Sequence, residues 1–370
     1  MKNILIWDKS GFQEINYFLK KKYKLKSIDI RSGLKWNGKQ FLIFIRIIFL
    51  NLKFSNIFNK AFYRFNYVLS WVKFYNSTIL ITFIDNDRFV QDFISFKYIH
   101  NIDTISIQNG GRVFSCKDNF SLKKVSPYSL INTMEKNQLV EIADYIFTIS
   151  ERSFKRYNEK VKILSKVYLL GSFRLNYWFL NLKSKNFLIK YDICLIDINN
   201  KYQGERLNSI IKAINLIKKP LKIIIPLKND NKYNVEKTKI FYKKNISKNH
   251  KVFVKNPLYY SVYGCMSKSK VVVGASSTCL IESKIMNIPT VNFADLMIFE
   301  GVNINTILDQ MSEKKLRVDF EDVNSGIKFK SKEINKFIED KNLKRKINIP
   351  KEPLENFKNI LENLMTNNSF

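Results

Sequence analysis

The stretch Lys270–Phe293 reads KVVVGASSTCLIESKIMNIPTVNF. An apolar run ends in Gly274 and Ala275. Ser276, Ser277 and Thr278 then open an amphipathic segment that carries Glu282. Small residues let a backbone come close to a ligand. The free N–H groups and dipole of a helix start favour an anion such as phosphate. The three hydroxyls add donors. Glu282, about one turn in, is placed to accept hydrogen bonds from ribose hydroxyls. The plain alternative is an ordinary helix N-cap with a solvated glutamate.

Four other segments place polar residues at the ends of apolar runs. Thr104–Arg112, TISIQNGGR, ends in Gln108, Asn109, Gly110, Gly111 and Arg112. Two glycines in a glycine-poor chain imply a sharp turn with exposed amides, and Arg112 adds a fixed positive charge. Ile84–Arg88, IDNDR, offers Asp85 and Asp87, and Asp8 follows the first apolar run. Any of the three would deprotonate an acceptor hydroxyl given a suitable pKa, and Asp85 is the first choice. The same residues also serve as turn formers. Leu170–Asn176, LGSFRLN, sets Gly171 before Arg174, whose guanidinium suits a phosphate or carboxylate. Ile225–Asp230, IPLKND, offers Lys228 as a further positive charge.

These residues need elements to position them. Short apolar runs alternate with amphipathic stretches, the pattern of parallel strands with crossover helices. The first series of strands is expected at Asn3–Trp7, Lys26–Ile30, Thr78–Ile84, Thr104–Gln108, Tyr145–Ile149 and Val167–Leu170. The second is expected at Ile193–Ile198, Leu221–Ile225, Lys251–Val254, Lys270–Val273 and Thr290–Phe293. Helices are expected at Glu205–Ile217, Tyr259–Ser267 and Thr278–Met286, with a last one around Leu354–Met365. The fold class is α/β, two Rossmann-like doubly wound parallel sheets facing across a cleft. The expected divisions are a first Rossmann-like domain over 1–184, a second over 185–330, and a charged helical tail over 331–370. In open parallel sheets, ligands bind beyond the carboxyl ends of the strands.

The composition narrows the class. Hydrophobic residues are 45% of 370, enough for two cores, so this is not a disordered chain. The 63 Lys and Arg against 32 Asp and Glu leave +31, a charge that attracts nucleic acid, anionic lipid or phosphorylated substrates. A codon bias toward Lys, Asn, Ile and Phe accounts for such a charge equally well. No helix-turn-helix, zinc finger or RNP-like motif is visible, so no nucleic-acid partner is expected. The four cysteines and two histidines show no zinc spacing, and no metal or cofactor is expected. Cys194 reads as a small core residue. A cytoplasmic protein is expected, with no signal peptide and no membrane span, since Phe41–Leu50 is short and interrupted by Arg46. Trp36–Tyr75 is both apolar and basic. It suits either peripheral contact with an anionic membrane or a pair of buried helices over the first sheet.

Lys270–Phe293 resembles the donor-binding strand–helix unit of GT-B glycosyltransferases. Two Rossmann domains of near-equal size are the GT-B architecture. The resemblance implies that Ser276, Ser277 and Thr278 meet the donor phosphate and Glu282 the ribose. Relatives with this fold carry a Gly-x-Pro-x-x-Asp turn where this chain has Gly171, Ser172, Phe173 and Asn176. TISIQNGGR resembles a strand end in bacterial surface-carbohydrate biosynthesis proteins, and more distantly the Asp-Gly-x-x-Arg step of capsule Kdo transferases. Asn109 replaces that Asp, and an amide cannot act as a base. Sialyl- and Kdo-transferase-like enzymes place His-Pro where this chain has Pro226 and Lys228 without a His. The function implied is transfer of a sugar from a UDP- or CMP-linked donor to a surface polysaccharide or lipid-linked glycan. GT-B enzymes generally need no metal. The rivals are a nucleotide-sugar epimerase or polyol-phosphate transferase on the same fold, and a non-catalytic basic nucleic-acid or membrane-surface protein.

Overall fold

The computed structural model describes residues 3–8, 11–19, 23–29, 33–52, 59–83, 88–108, 143–155, 165–182, 187–196, 204–227, 235–255, 261–275, 277–302, 304–311, 315–316, 320–340, 347 and 352–367. They form two compact units, one around each of two parallel sheets.

The first unit contains β1 (Asn3–Trp7), α1 (Phe12–Leu19), β2 (Lys24–Ile28), α2 (Gly38–Asn51), α3 (Lys60–Phe74), β3 (Ser77–Thr82), α4 (Arg88–Ser95), β4 (Asp103–Ile107), β5 (Tyr145–Thr148) and β6 (Lys166–Leu169). α5 (Phe173–Leu180) follows. Its sheet runs β2-β1-β3-β4-β5-β6, all parallel. The central strands β1 (NILIW) and β3 (STILIT) are nearly continuous apolar runs because both faces are covered, whereas the edge strands β2 (KLKSI) and β6 (KVYL) are partly exposed. Alternation sends Leu5 and Trp7 of β1 to the core under α2, α3 and α4. Ile4 and Ile6 go to the opposite core, with α1 and Phe173.

The second unit contains β7 (Tyr191–Leu195), α6 (Gly204–Asn215), β8 (Lys222–Pro226), α7 (Val235–Asn245), β9 (Lys251–Lys255), α8 (Ser261–Ser267), β10 (Ser269–Gly274), α9 (Thr278–Ile285) and β11 (Thr290–Asn292). A 3-10 segment (Ala294–Glu300), α10 (Ile304–Met311) and α11 (Val323–Glu339) complete it. The sheet order is β11-β10-β7-β8-β9, again all parallel. Leu207, Ile210 and Ile214 of α6 pack with Ile327, Ile334 and Ile338 of α11 over one face. Cys194 is fully buried in β7, as its apolar surroundings implied, and burial pushes its thiol pKa well up.

All eleven strands read from the sequence are present, with ends moved by three residues or fewer. Pairing, not hydrophobicity alone, sets where each strand stops. Two other expectations change. The division between the units falls between Tyr177 and Trp178, not near residue 185. Phe173 and Leu175 are buried, Phe173 in the first core, whereas Trp178 stacks on Phe187 and meets Tyr263. The last residues are also not one separate charged tail. α11 belongs to the second core. The final helix, α12 (Glu352–Asn367), returns to the first unit, where Leu354, Phe357, Leu361 and Leu364 enter its core.

The Trp36–Tyr75 segment divides. α3 is the buried helix: Phe62, Phe65, Val68 and Val72 lie in the core, and Asn59 caps its start by accepting from the Ala61 N–H at 2.9 Å. α2 buries only one side.

His100 follows α4 and lies in the same core, stacked on Phe93 at 4.1 Å and Phe65 at 6.0 Å. Its Nδ1 accepts from the Ile102 N–H, and its Nε2 lies 3.1 Å from the Phe93 carbonyl, an arrangement met by the neutral ring protonated at Nε2. Burial holds its pKa down to about 4, against the opposing hydrogen bond to the Phe93 carbonyl and the charge of Asp144, with Lys97 and Lys73 adding to the lowering. The unfolded chain binds a proton below its ordinary value near 6.5 while the native ring stays neutral. The stabilisation is therefore complete above about pH 6.5 and is lost as pH falls toward 4, by up to about 3 kcal/mol. Melting curves of the wild type and His100→Phe should converge as pH falls across that window. A constant difference would refute the assignment.

Candidate functional site

Each sheet has one topological switch point, where the strand order reverses and ligands bind in doubly wound folds. In the second unit it lies between β7 and β10. β10 ends at Gly274, and a Cβ there would stand 3.1 Å from Ile196 Cβ and 3.3 Å from Leu280 Cδ2. Gly274 thus lets β7, β10 and α9 close up at the switch point. Ser277 is the N-cap of α9 with extended backbone, and its hydroxyl accepts from the Cys279 N–H at 3.3 Å. Thr278 is the first helical residue. Ser276 lies outside the described residues.

Glu282 is not a solvated glutamate. It is 4% exposed, and its Oε1 accepts a hydrogen bond from the Tyr263 hydroxyl at 2.8 Å. Tyr263 sits on α8 and packs at 5.5 Å against the Trp178 ring. A carboxylate buried this far keeps its charge only with hydrogen-bond partners. The sequence marks Tyr263 only weakly, as one Tyr within the helix expected at Tyr259–Ser267.

In the first unit the switch point lies between β1 and β3. Asp8, directly after β1, is 1% exposed and holds φ at 96°, a backbone region costly for any residue but glycine. Its N–H donates to the Ile28 carbonyl at 3.1 Å, which secures the turn. Gly11 has φ at 85°, and a Cβ there would come within 2.5 Å of the ring of Phe83, the residue after β3. The turn after β1 therefore lies directly against the end of β3, and only glycine allows it.

Gln108 ends β4. Its N–H donates to the Phe147 carbonyl at 2.8 Å, and its Oε1 accepts from the Ile149 N–H at 3.1 Å. Its Nε2 is buried with no hydrogen-bond partner among the described residues. Gly171 follows β6 with φ at 74°. Ser172 then starts α5 by accepting from the Leu175 N–H at 3.2 Å. Arg174 in this helix lies 3.7 Å from a carboxylate the sequence reading overlooked, Glu14 of α1, which is fully buried. Glu14 sits beside the apolar stripe of Phe12, Ile15 and Leu19, a placement that in retrospect marks it as inward-facing. Asp85, Asp87, Asn109, Gly110, Gly111, Arg112 and Lys228 lie outside the described residues. Asp8, Gln108 and Gly171 thus stand at the ends of β1, β4 and β6, and Ser277, Thr278 and Glu282 gather beyond β10.

No protein-family model matches this sequence, and no curated protein matches it. Solved structures do resemble it. The UDP-GlcNAc 2-epimerase of Methanocaldococcus jannaschii aligns over 98% of this chain and 99% of its own, with TM-score 0.51 and 14% identity. A candidate UDP-N-acetylglucosamine 2-epimerase from Listeria monocytogenes aligns over 98% and 97%, with TM-score 0.55 and 10% identity. Sucrose-phosphate synthase from Thermosynechococcus elongatus aligns over 99% and 100%, with TM-score 0.50 and 11% identity. At such identities the likeness is one of fold. The chain has the two-domain, Rossmann-like GT-B fold, with parallel sheets of six and five strands.

Proposed function

We propose that this protein is a glycosyltransferase that takes a sugar from a UDP- or CMP-linked donor. The second unit binds the nucleotide and the first binds a surface polysaccharide or lipid-linked glycan acceptor. One observation carries the reading. At the β7–β10 switch point, a Gly-permitted close approach presents the capped start of α9, with a buried carboxylate, Glu282, about one turn in. In the proposed complex the amides at Ser276–Thr278 face the donor phosphates, where the helix dipole favours negative charge. Glu282 accepts from the ribose hydroxyls, with Tyr263 holding the carboxylate in place. Developing charge on the departing nucleotide is met by the same amides, with Arg174 and Lys228 as further cations. Acceptor deprotonation falls to Asp85, Asp87 or Asp8, and Arg112 supports the reacting centre.

The test is thermal unfolding against UDP, CMP, CDP, GDP and their sugars. A ligand that binds only the folded state adds about 2.7 kcal/mol at a hundredfold excess over Kd. One nucleotide class should raise Tm. Glu282→Gln keeps an acceptor for Tyr263 but loses the charge. It should weaken that nucleotide about 10- to 100-fold, the worth of one charged hydrogen bond, while leaving the Tm without ligand nearly unchanged. No shift with any nucleotide would sink the proposal. Conversion of UDP-N-acetylglucosamine to its epimer without acceptor would replace transfer with epimerisation.

A further inference from the structure

The outward side of α2 carries apolar residues that the fold does not use. At about 100° per residue, Phe41, Ile45 and Phe49 form one line along the helix, with Leu42 beside it. All four are exposed, Leu42 and Phe49 to 69% each. The opposite side, with Phe44, Ile47 and Ile48, enters the first core. Trp36, just before the helix, is half-exposed and packs edge-on against Phe41 at 5.4 Å. Lys39 and Arg46, seven residues apart and both exposed, run along one border of the apolar line.

The stretch of sequence that carries this face is one-sided in charge. Residues 31–84 contain no Asp or Glu, yet eight Lys and Arg, of which Lys39 and Arg46 border the apolar line and Arg64 is paired with Asp92 of α4. A second copy of this +31 chain would bring cation against cation. An anionic bilayer offers apolar depth for the phenylalanines and negative headgroups for the rim. A helix of 14 residues is about 21 Å long, and among the described residues no helix is long and apolar enough to cross a membrane. A face of this kind lies in the interfacial plane, where Trp is also favoured.

We propose that the outer face of α2, with Trp36, docks this protein on an anionic lipid surface, the helix lying parallel to the bilayer. The docking is independent of nucleotide binding and stands or falls apart from the transferase reading.

The experiment is co-sedimentation of the full chain with phosphatidylcholine vesicles, with and without phosphatidylglycerol. Binding should require the anionic lipid and weaken as salt rises. Brominated lipid should quench fluorescence in the wild type, and this quenching should be lost in Trp36→Phe. Leu42→Ser with Phe49→Ser should keep the wild-type Tm and lower the partition coefficient at least about tenfold, since each large side chain that leaves the lipid forfeits roughly that factor. Equal binding by the double variant would overturn the proposal, because general basic charge would then suffice. Absence of wild-type binding to anionic vesicles would also overturn it. So would a wild-type dimer that the double variant converts to monomer.

Discussion

Phe357→Ala should lower the stability of the first unit by about 3–5 kcal/mol, the cost of emptying a fully buried aromatic site. Phe357 has no exposed surface and meets the Phe147 ring at 4.9 Å and the Phe173 ring at 5.2 Å, both near edge-to-face. Leu354, Leu361 and Leu364 continue the same stripe at helical spacing. Without them Ile4, Ile6, Ile79 and Ile81 lose part of the layer over their face of the sheet. Urea unfolding reads the loss as a shift of the first transition midpoint at constant slope. A loss below about 1 kcal/mol would mean that α12 does not close this core. Leu188→Ala, at a position 77% exposed, should stay within about 0.5 kcal/mol and serves as the control.

Lys330→Met carries the second large effect. The Lys330 ammonium on α11 lies 2.5 Å from Asp295 in the 3-10 segment after β11, both nearly buried, with Glu333 at 3.5 Å. Burial raises the Asp295 pKa, and Lys330 opposes that rise. Removing the cation leaves a carboxylate buried without its charge partner, a loss of about 3–5 kcal/mol at neutral pH. The sign of the pH dependence follows. With the folded pKa of Asp295 raised further above its unfolded value, the native variant binds a proton that the unfolded chain does not. The deficit should therefore shrink as pH falls toward the unfolded carboxylate range. A deficit constant from pH 7 to pH 5 would reject the buried-charge explanation. Asp295→Leu with Lys330→Met removes both charges and should recover much of the loss.

The strands were legible because a buried parallel strand is a local signal, a short run of Ile, Val and Leu between polar turns. Val271–Val273 and Ile223–Ile225 declare themselves without reference to anything distant. The start of α9 was legible for the same reason, since an N-cap such as Ser277 acts on an N–H two residues away. The GT-B architecture followed from counting those strands in order.

What the sequence left open depends on partners far along the chain. Glu282 reads as exposed or buried depending on Tyr263, nineteen residues earlier. Arg174 reads as an isolated cation suited to a phosphate, and only the fold shows that Glu14, a carboxylate on a different element, lies 3.7 Å from it. α2 and α3 have similar aromatic and basic composition, yet α3 is buried between its neighbours while α2 keeps one apolar side outward. The stripe Leu354, Phe357, Leu361 and Leu364 is visible in the sequence as an apolar helix face. Either sheet would have accepted it, because hydrophobic burial is non-directional and rewards any apolar partner. Only the closing of the chain, which packs α12 on the first sheet and α11 on the second, decided which core each helix completes.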